Sequence, residues 1–431
     1  MSTGYMEQEK AILVGLKQKP ITGRVKADTL DELESLAESA GAHVEARITQ
    51  DGKVIDPAFF IGRGKVADVE HLVQERVANL VIFDDELSPA QQRNLEDAIG
   101  AAVIDRTGLI LDIFAQRARS REGKLQVELA QLSYLLPRLR GRGVALSRLG
   151  GGIGTRGPGE TKLEMDRRKI KWRMTSLKKD LEQVRNVRST QRRSRKYHGQ
   201  HIAALIGYTN AGKSTLLNTL AQAGVLAEDR LFSTLDPTIR RLKGVSNVLL
   251  SDTVGFIRKL PHQLVAAFKA TLEEVAEAAL LIHVVDICSP FIEEQVASVN
   301  TVLHELGIAE KDTLYVLNKI DRLTEPGVVR LWQRRLEPAV ALSARTGAGT
   351  EDLLAYIKSW LNSRMPRVCL RLPLTEGRAI DRIYKNGTVL HSEYRGADVL
   401  LEAQLDYTVA RSLERFSIPP FRKKHASGRC S

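Results

Sequence analysis

Gly207, Tyr208, Thr209, Asn210, Ala211, Gly212, Lys213 and Ser214 follow an apolar run, and Thr215 continues into a helical pattern through Leu220. This Gly-x4-Gly-Lys-Ser spacing suits phosphate chemistry. Glycines let backbone N–H groups turn inward around an anion, and a helix opening there adds its dipole. Lys213 is placed for β- and γ-phosphate oxygens, and Ser214 for a Mg²⁺ ion. The strand-loop-helix context separates such a loop from a chance match.

Three further stretches follow in order. Asp252-Thr-Val-Gly255 ends an apolar strand. Asp252 can hold Mg²⁺ through water, and Gly255 has no side chain to keep its N–H from a γ-phosphate. Asn318-Lys319-Ile-Asp321 follows another strand. A carboxylate at Asp321 accepts both N1–H and the 2-amino N–H of guanine, a donor pair that adenine lacks. Ser343-Ala344 would set a backbone N–H near O6. Each motif is weak alone, but four in order, each after a strand, specify a GTP/GDP site.

Phe256 stands after Gly255, where many GTPases carry the glutamine that orients water. Hydrolysis is therefore expected to be slow until something completes the site. A switch threonine must reach Mg²⁺ from between the loop and Asp252. In Leu231-Phe-Ser-Thr234-Leu-Asp-Pro-Thr238 the choice is Thr234, with Thr238 as the alternative. Asn210 can help hold a monovalent cation beside the β- and γ-phosphates, which makes K⁺ a candidate cofactor beside Mg²⁺. The other reading is that Asn210 only stabilises the turn. No neighbouring side chain is a clear general base, and His262 reads as an exposed loop residue. Charge stabilisation and water positioning are therefore assigned to Asn210, Lys213, Thr234 and Gly255.

These groups need a scaffold. Strands at 248–251, 280–285, 313–317 and 339–342 alternate with helices, the last over 350–361, and predict a P-loop domain with a parallel sheet over 198–365. Upstream, strands at 11–17, 42–48, 80–83 and 102–104 alternate with helices at 28–40 and after Gly62 and Ser88. They predict a small α/β domain over 1–120. Leu125, Leu129, Leu132 and Leu136 then form a helical stripe that Pro137 interrupts. Residues 141–161 hold eight glycines. Leu163, Ile170, Leu177 and Val184 recur every seven residues, with Met174 and Leu181 between them and Arg167 and Arg188 weakening the seam. The pattern predicts a long antiparallel helical hairpin over 121–197 with a glycine-rich tip. Its second helix, about 33 residues, would run about 50 Å. Arg192 to Gly199 reads as a linker. A small α+β domain over 366–431 follows, with a disordered basic end.

The chain has 431 residues, a net charge of +12 and 43% hydrophobic content, enough for several soluble domains. No apolar run approaches the roughly 18 residues of a membrane span, and no signal pattern opens the chain, so a cytoplasmic monomer is expected. Cys288, Cys369 and Cys430 have neither metal nor disulfide spacing. Residues 162–197 hold 14 Lys/Arg against 4 Asp/Glu, a local +10. Charge so concentrated points to a polyanion, nucleic acid first; a solvated helix face is the plainer reading.

Asp105-Arg-Thr-Gly-Leu-Ile-Leu-Asp-Ile-Phe, Gly123-Lys-Leu-Gln-Val-Glu-Leu-Ala-Gln-Leu and Gly151-Gly-Ile-Gly-Thr-Arg-Gly-Pro-Gly-Glu-Thr, with the Phe-Ser-Thr-Leu-Asp-Pro-Thr and Asp-Thr-Val-Gly-Phe-Ile segments, resemble the HflX family of ribosome-associated GTPases over nearly the whole chain. The resemblance implies the four-part fold just described. It implies binding to the large ribosomal subunit, hydrolysis stimulated there, and dissociation of stalled or stressed ribosomes into subunits. Family members are also linked to ATP binding by the N-terminal region, although this sequence has no separate ATP loop. A hairpin with Gly154 and Arg156 at its tip could enter an rRNA channel, with Arg142, Arg148, Arg156 and Lys162 meeting phosphate or stacking on bases. The alternative is a ribosome-assembly or rRNA-binding regulatory GTPase that does not split ribosomes.

Overall fold

The computed structural model describes residues 9–17, 29–52, 55–139, 158–197, 200–221, 231–232, 236, 238–245, 248–259, 274–405 and 407–419. The first sheet is wholly parallel, in the order β2-β1-β3-β4. Its strands are β1 (Lys10–Lys17), β2 (His43–Asp51), β3 (Leu80–Phe83) and β4 (Ala102–Asp105). Side chains alternate between its faces. Ile12, Val14, Val81, Phe83 and Val103 pack under α2 (Arg63–Arg76) and α3 (Pro89–Ile99). Leu13, Leu80 and Ile82 pack on the other face, under α1 (Thr29–Ala40) and α4 (Arg106–Arg117). Ser88 starts α3 through a full capping box with Gln91, and Pro89 takes the first turn, where its missing N–H costs nothing.

α4 was not foreseen in the sequence. Asp105 caps it, accepting from Gly108 N–H at 2.8 Å. Its Leu-Ile-Leu-Asp-Ile-Phe run carries no polar stripe because it is buried nearly all round.

The hairpin pairs α5 (Arg121–Arg138) with α6 (Pro158–Tyr197). α6 has 40 residues, longer than the seam suggested, and absorbs the stretch to Tyr197 read as linker. No proline or glycine occurs between Gly159 and Gly199, so nothing stops the helix earlier. At 1.5 Å per residue it is about 60 Å long. Leu177 is wholly buried on the seam, and Arg173 clamps Glu128 of α5 through two bonds of 2.6 and 2.8 Å.

The second sheet has the order β10-β9-β8-β5-β7-β6. It comprises β5 (His201–Gly207), β6 (Thr238–Arg241), β7 (Val248–Asp252), β8 (Leu280–Asp286), β9 (Thr313–Asn318) and β10 (Ala339–Ala341). All neighbours are parallel except edge strand β6, which runs antiparallel to β7. α7 (Lys213–Ala221), α8 (Ile292–Glu305), α9 (Pro326–Arg335) and α10 (Thr350–Arg364) surround it. An antiparallel sheet, β12-β13-β11-β14, follows, with β11 (Arg367–Pro373), β12 (Gly387–Arg395), β13 (Asp398–Leu405) and β14 (Ser417–Ile418). α11 (Gly377–Asn386) and α12 (Tyr407–Ser412) accompany it. No described helix is long and apolar enough to cross a membrane. Cys288 and Cys369 are free thiols, and Cys430 lies outside the described residues.

Candidate nucleotide site

The loop between β5 and α7 sits where glycine is required. Gly207 and Gly212 have φ of 143° and 97°. A Cβ on Gly207 would strike the Val284 carbonyl, and one on Gly212 the Asn318 amide. Asn210 is left-handed at φ 59°, a conformation asparagine tolerates better than most residues. That geometry suits the turn role of Asn210.

Lys213 is buried and folds back, donating to the carbonyls of Gly207 at 3.1 Å and Tyr208 at 2.8 Å. Burial lowers it to about 8, against the opposing pull of Asp252. Ser214 Oγ donates to Asp252 Oδ2 at 2.7 Å. A hydroxyl and a carboxylate thus converge on one point, an oxygen-only pair that fits Mg²⁺ completed by phosphate oxygens and water. Among the described residues no group of three His, Cys, Asp or Glu could hold a metal without such help. Thr209 Oγ1 is buried and has no hydrogen-bond partner among the described residues.

The Gly255 segment is knitted to this loop. Thr209 N–H donates to the Phe256 carbonyl at 2.8 Å, and Phe256 N–H to the Gly207 carbonyl at 3.1 Å. A Cβ on Gly255 would lie 2.9 Å from the Thr209 Cα, so only glycine lets the two segments approach. Phe256 is 2% exposed and packs among Ala204, Ile206 and Val275. The residue at the glutamine position therefore fills the core and cannot orient water.

Asn318, 2% exposed, is a brace. It donates to the Ala211 carbonyl at 2.8 Å and accepts from Ala344 N–H at 2.9 Å, tying the phosphate loop to the Ser343 loop. Delivering the Ala344 N–H to guanine O6 would mean sharing that bond. Lys319 pairs with Asp286 at 2.7 Å. Asp321 is exposed, and the Ser343 hydroxyl holds its carboxyl below the usual range, ready as an ionised acceptor. Thr215 follows in the first turn of α7. Thr238 pairs with Asp252 across β6 and β7. Thr234 and His262 lie outside the described residues, as do Arg142, Arg148, Gly154, Arg156 and the side chain of Lys162.

Contacts with the N-terminal layer surround the site, and sequence reasoning missed them. Tyr208 Oη bonds Glu32 of α1 and accepts the Arg258 N–H at 2.9 Å. Arg106 joins Glu32 and lies 2.8 Å from Asp84. Burial lowers Arg106 to about 10, so it stays charged. Lys259, left-handed at φ 51°, reaches Asp84 and Asp85. Phe232 meets Phe114 edge-on at 4.7 Å.

Three family models match in sequence. "GTP-binding GTPase N-terminal" covers residues 27–115, "GTP-binding GTPase Middle Region" 117–195 and "50S ribosome-binding GTPase" 202–319. The GTPase HflX of Caldanaerobacter subterraneus subsp. tengcongensis is 46% identical over 414 residues, 96% of this chain and 94% of that protein. The chain belongs to the GTPase HflX family. The Escherichia coli GTPase HflX is 48% identical over 385 residues, 88% of this chain and 89% of that protein. A GDP-bound GTP-binding protein from Sulfolobus solfataricus is 25% identical, with a TM-score of 0.44 over 82% of this chain and 100% of its own. The protein is thus a P-loop GTPase that binds GTP and GDP.

Two stretches that resemble HflX now have structural roles. In the first, wholly buried Asp105 accepts from Tyr134 Oη and Arg138, each at 2.9 Å, fixing α5 to the first sheet. Gly108 makes room for that tyrosine hydroxyl. In the second, Gly123 lies against Asp236.

Proposed function

We propose that this GTPase binds the large ribosomal subunit through its helical hairpin and dissociates stalled or stressed ribosomes into subunits. The observation that carries the reading is a 40-residue basic helix joined to a GTPase core of the ribosome-binding family. On the outer face of α6, Trp172 is 74% exposed, and its neighbours in sequence at helical spacing are Arg168 and Lys169. Cations for phosphate and a ring for base stacking are the ordinary means of holding RNA. Gly154 and Arg156, with Arg142, Arg148 and Lys162, are our candidates for the tip contacts. Ribosomes are cytoplasmic, and the protein works there as a monomer.

In this reading the backbone of residues 207–215 and Lys213 cradle the phosphates. Ser214 and Asp252, with Thr234 or Thr238, hold Mg²⁺, which when bound neutralises charge on the β- and γ-phosphates. Gly255 N–H approaches the γ-phosphate. Asn210 and K⁺ are an additional charge source, tested by comparing turnover in KCl and NaCl. Asp321 selects guanine, with Asn318 and Lys319 framing the base and Ser343-Ala344 facing O6. With Phe256 in the core, no side chain from that position orients water, so hydrolysis is slow until the ribosome completes the site.

Incubating intact ribosomes with the protein and GTP should convert them to subunits on a density gradient. Replacing residues 154–158 with a neutral linker should abolish the conversion and leave GDP affinity unchanged. GTP-stimulated binding to large subunits without any conversion would favour the alternative, an assembly or rRNA-binding regulatory GTPase.

A further inference from the structure

Asp236 lies between the phosphate loop and Asp252, yet its carboxylate faces the hairpin. Oδ2 accepts the N–H groups of Arg119 at 2.9 Å and Ser120 at 2.7 Å, and Oδ1 bonds the Ser120 hydroxyl. Ser120 is also the cap of α5, accepting from Gly123 N–H at 2.9 Å. The carboxylate therefore sits on the positive end of the first hairpin helix, where a negative charge is favoured. Gly123 makes the seat possible, since a Cβ there would collide with Asp236 Oδ1.

The flanking residues are tied down as well. Leu231 N–H donates to Ser39 Oγ at 3.2 Å, and Phe232 stacks edge-on against Phe114 of α4. On the other side, Thr238 is paired with Asp252 at the Mg²⁺ corner. Thr238 is two positions on from Asp236, a reach of at most about 7 Å. Thr234 lies two residues the other way. A change at the Asp252 corner that moves Thr238 therefore acts on the seat at α5.

We propose that Asp236 is a positioning residue that couples the nucleotide state felt at Thr238, beside Asp252, to the first turn of the hairpin. By linkage, whatever holds the hairpin then biases Thr238 and the Asp252 corner to the same extent. The part of this that concerns ribosomes rests on the function proposed above; the coupling itself rests only on the nucleotide and Mg²⁺ site at Ser214 and Asp252.

The test uses full-length protein and two variants. Asp236→Asn removes the charge at constant shape. Gly123→Ala expels the carboxylate without touching it, and alanine favours a helix. Amide hydrogen exchange is followed at residues 119–124 with GDP and with a non-hydrolysable GTP analogue. The wild type should differ between the two nucleotides by about fivefold or more. Both variants should lose that difference while GDP affinity stays within about threefold of wild type. Equal exchange in both nucleotides for the wild type, or an undiminished difference in the variants, overturns the coupling. Stimulation of turnover by large subunits should fall about tenfold in both variants. A wild type that subunits do not stimulate would refute the ribosomal reading, and the exchange result would still decide the coupling.

Discussion

The Lys259 ammonium lies 2.6 Å from the Asp84 carboxylate, 175 residues away in the chain. One partner follows Gly255 by four residues, and the other follows the last residue of β3 in the N-terminal sheet. The two ends of the contact differ in burial. Asp84 is 1% exposed and also meets Arg106, whereas the Lys259 side chain is 43% exposed.

That asymmetry sets a prediction. Asp84→Ala leaves the buried Arg106 without one of its carboxylates and should destabilise the protein by about 3–5 kcal/mol. Lys259→Ala removes a half-exposed partner and should cost about 1 kcal/mol or less. Urea unfolding of both variants checks this, and equal losses would contradict it.

Phe256→Gln should not restore a water-orienting glutamine. The position faces a packed core, so the amide would be buried there at a cost of about 2–4 kcal/mol. Single-turnover hydrolysis should rise by no more than about threefold, since charge stabilisation by the existing donors is unchanged. A gain of about a hundredfold would mean that the segment turns its side chain out when GTP is bound.

Asp321→Asn exchanges an ionised acceptor for a neutral amide. Two charge-assisted bonds to the base weaken, and GDP affinity should fall by roughly a hundredfold. Xanthine carries a carbonyl where guanine has its amino group, so affinity for xanthosine diphosphate should rise in the same variant. Competition titration with both nucleotides reads this directly. Parallel loss for both would remove Asp321 from base selection.

His283 is 1% exposed on β8, stacks against Tyr315 at 5.2 Å, and is pushed down to about 3 by burial, with the Lys213 charge adding to it. An unfolded histidine titrates near 6.5. Between those values the unfolded chain takes the proton and the folded chain does not. Stability therefore falls as pH drops below 6.5 and is untouched above it. At pH 5 the loss is about 2 kcal/mol. His283→Gln should flatten the difference between urea midpoints at pH 7 and pH 5, and an unaltered slope would assign the acid loss elsewhere.

The nucleotide motifs were legible because each is a contiguous run whose chemistry lies in its own residues. The alternating strands and helices were legible for the same reason. α4 was not, because burial on several sides erased its polar stripe. The length of α6 was underestimated because its seam fades into arginines while the helix persists without a breaker. The contacts around the site left no local signal at all. Glu32 meets Tyr208 across 176 residues and Asp236 meets Ser120 across 116, so no periodicity could join them. Asn318 was read only as part of a base-selecting motif, although its brace to Ala211 and Ala344 holds the two loops together. Asp236 carries no signal of its own in the sequence, because its partners Arg119 and Ser120 lie more than a hundred residues away.

The most direct measurement is GTP turnover by the purified protein in K⁺ buffer, alone and with large ribosomal subunits. With Phe256 buried in the core, turnover alone should be slow. Subunits should raise it by about a hundredfold or more, the scale on which a supplied charge or water-positioning group acts. Fast turnover alone, or no response to subunits, would contradict a GTPase whose site is completed on the ribosome.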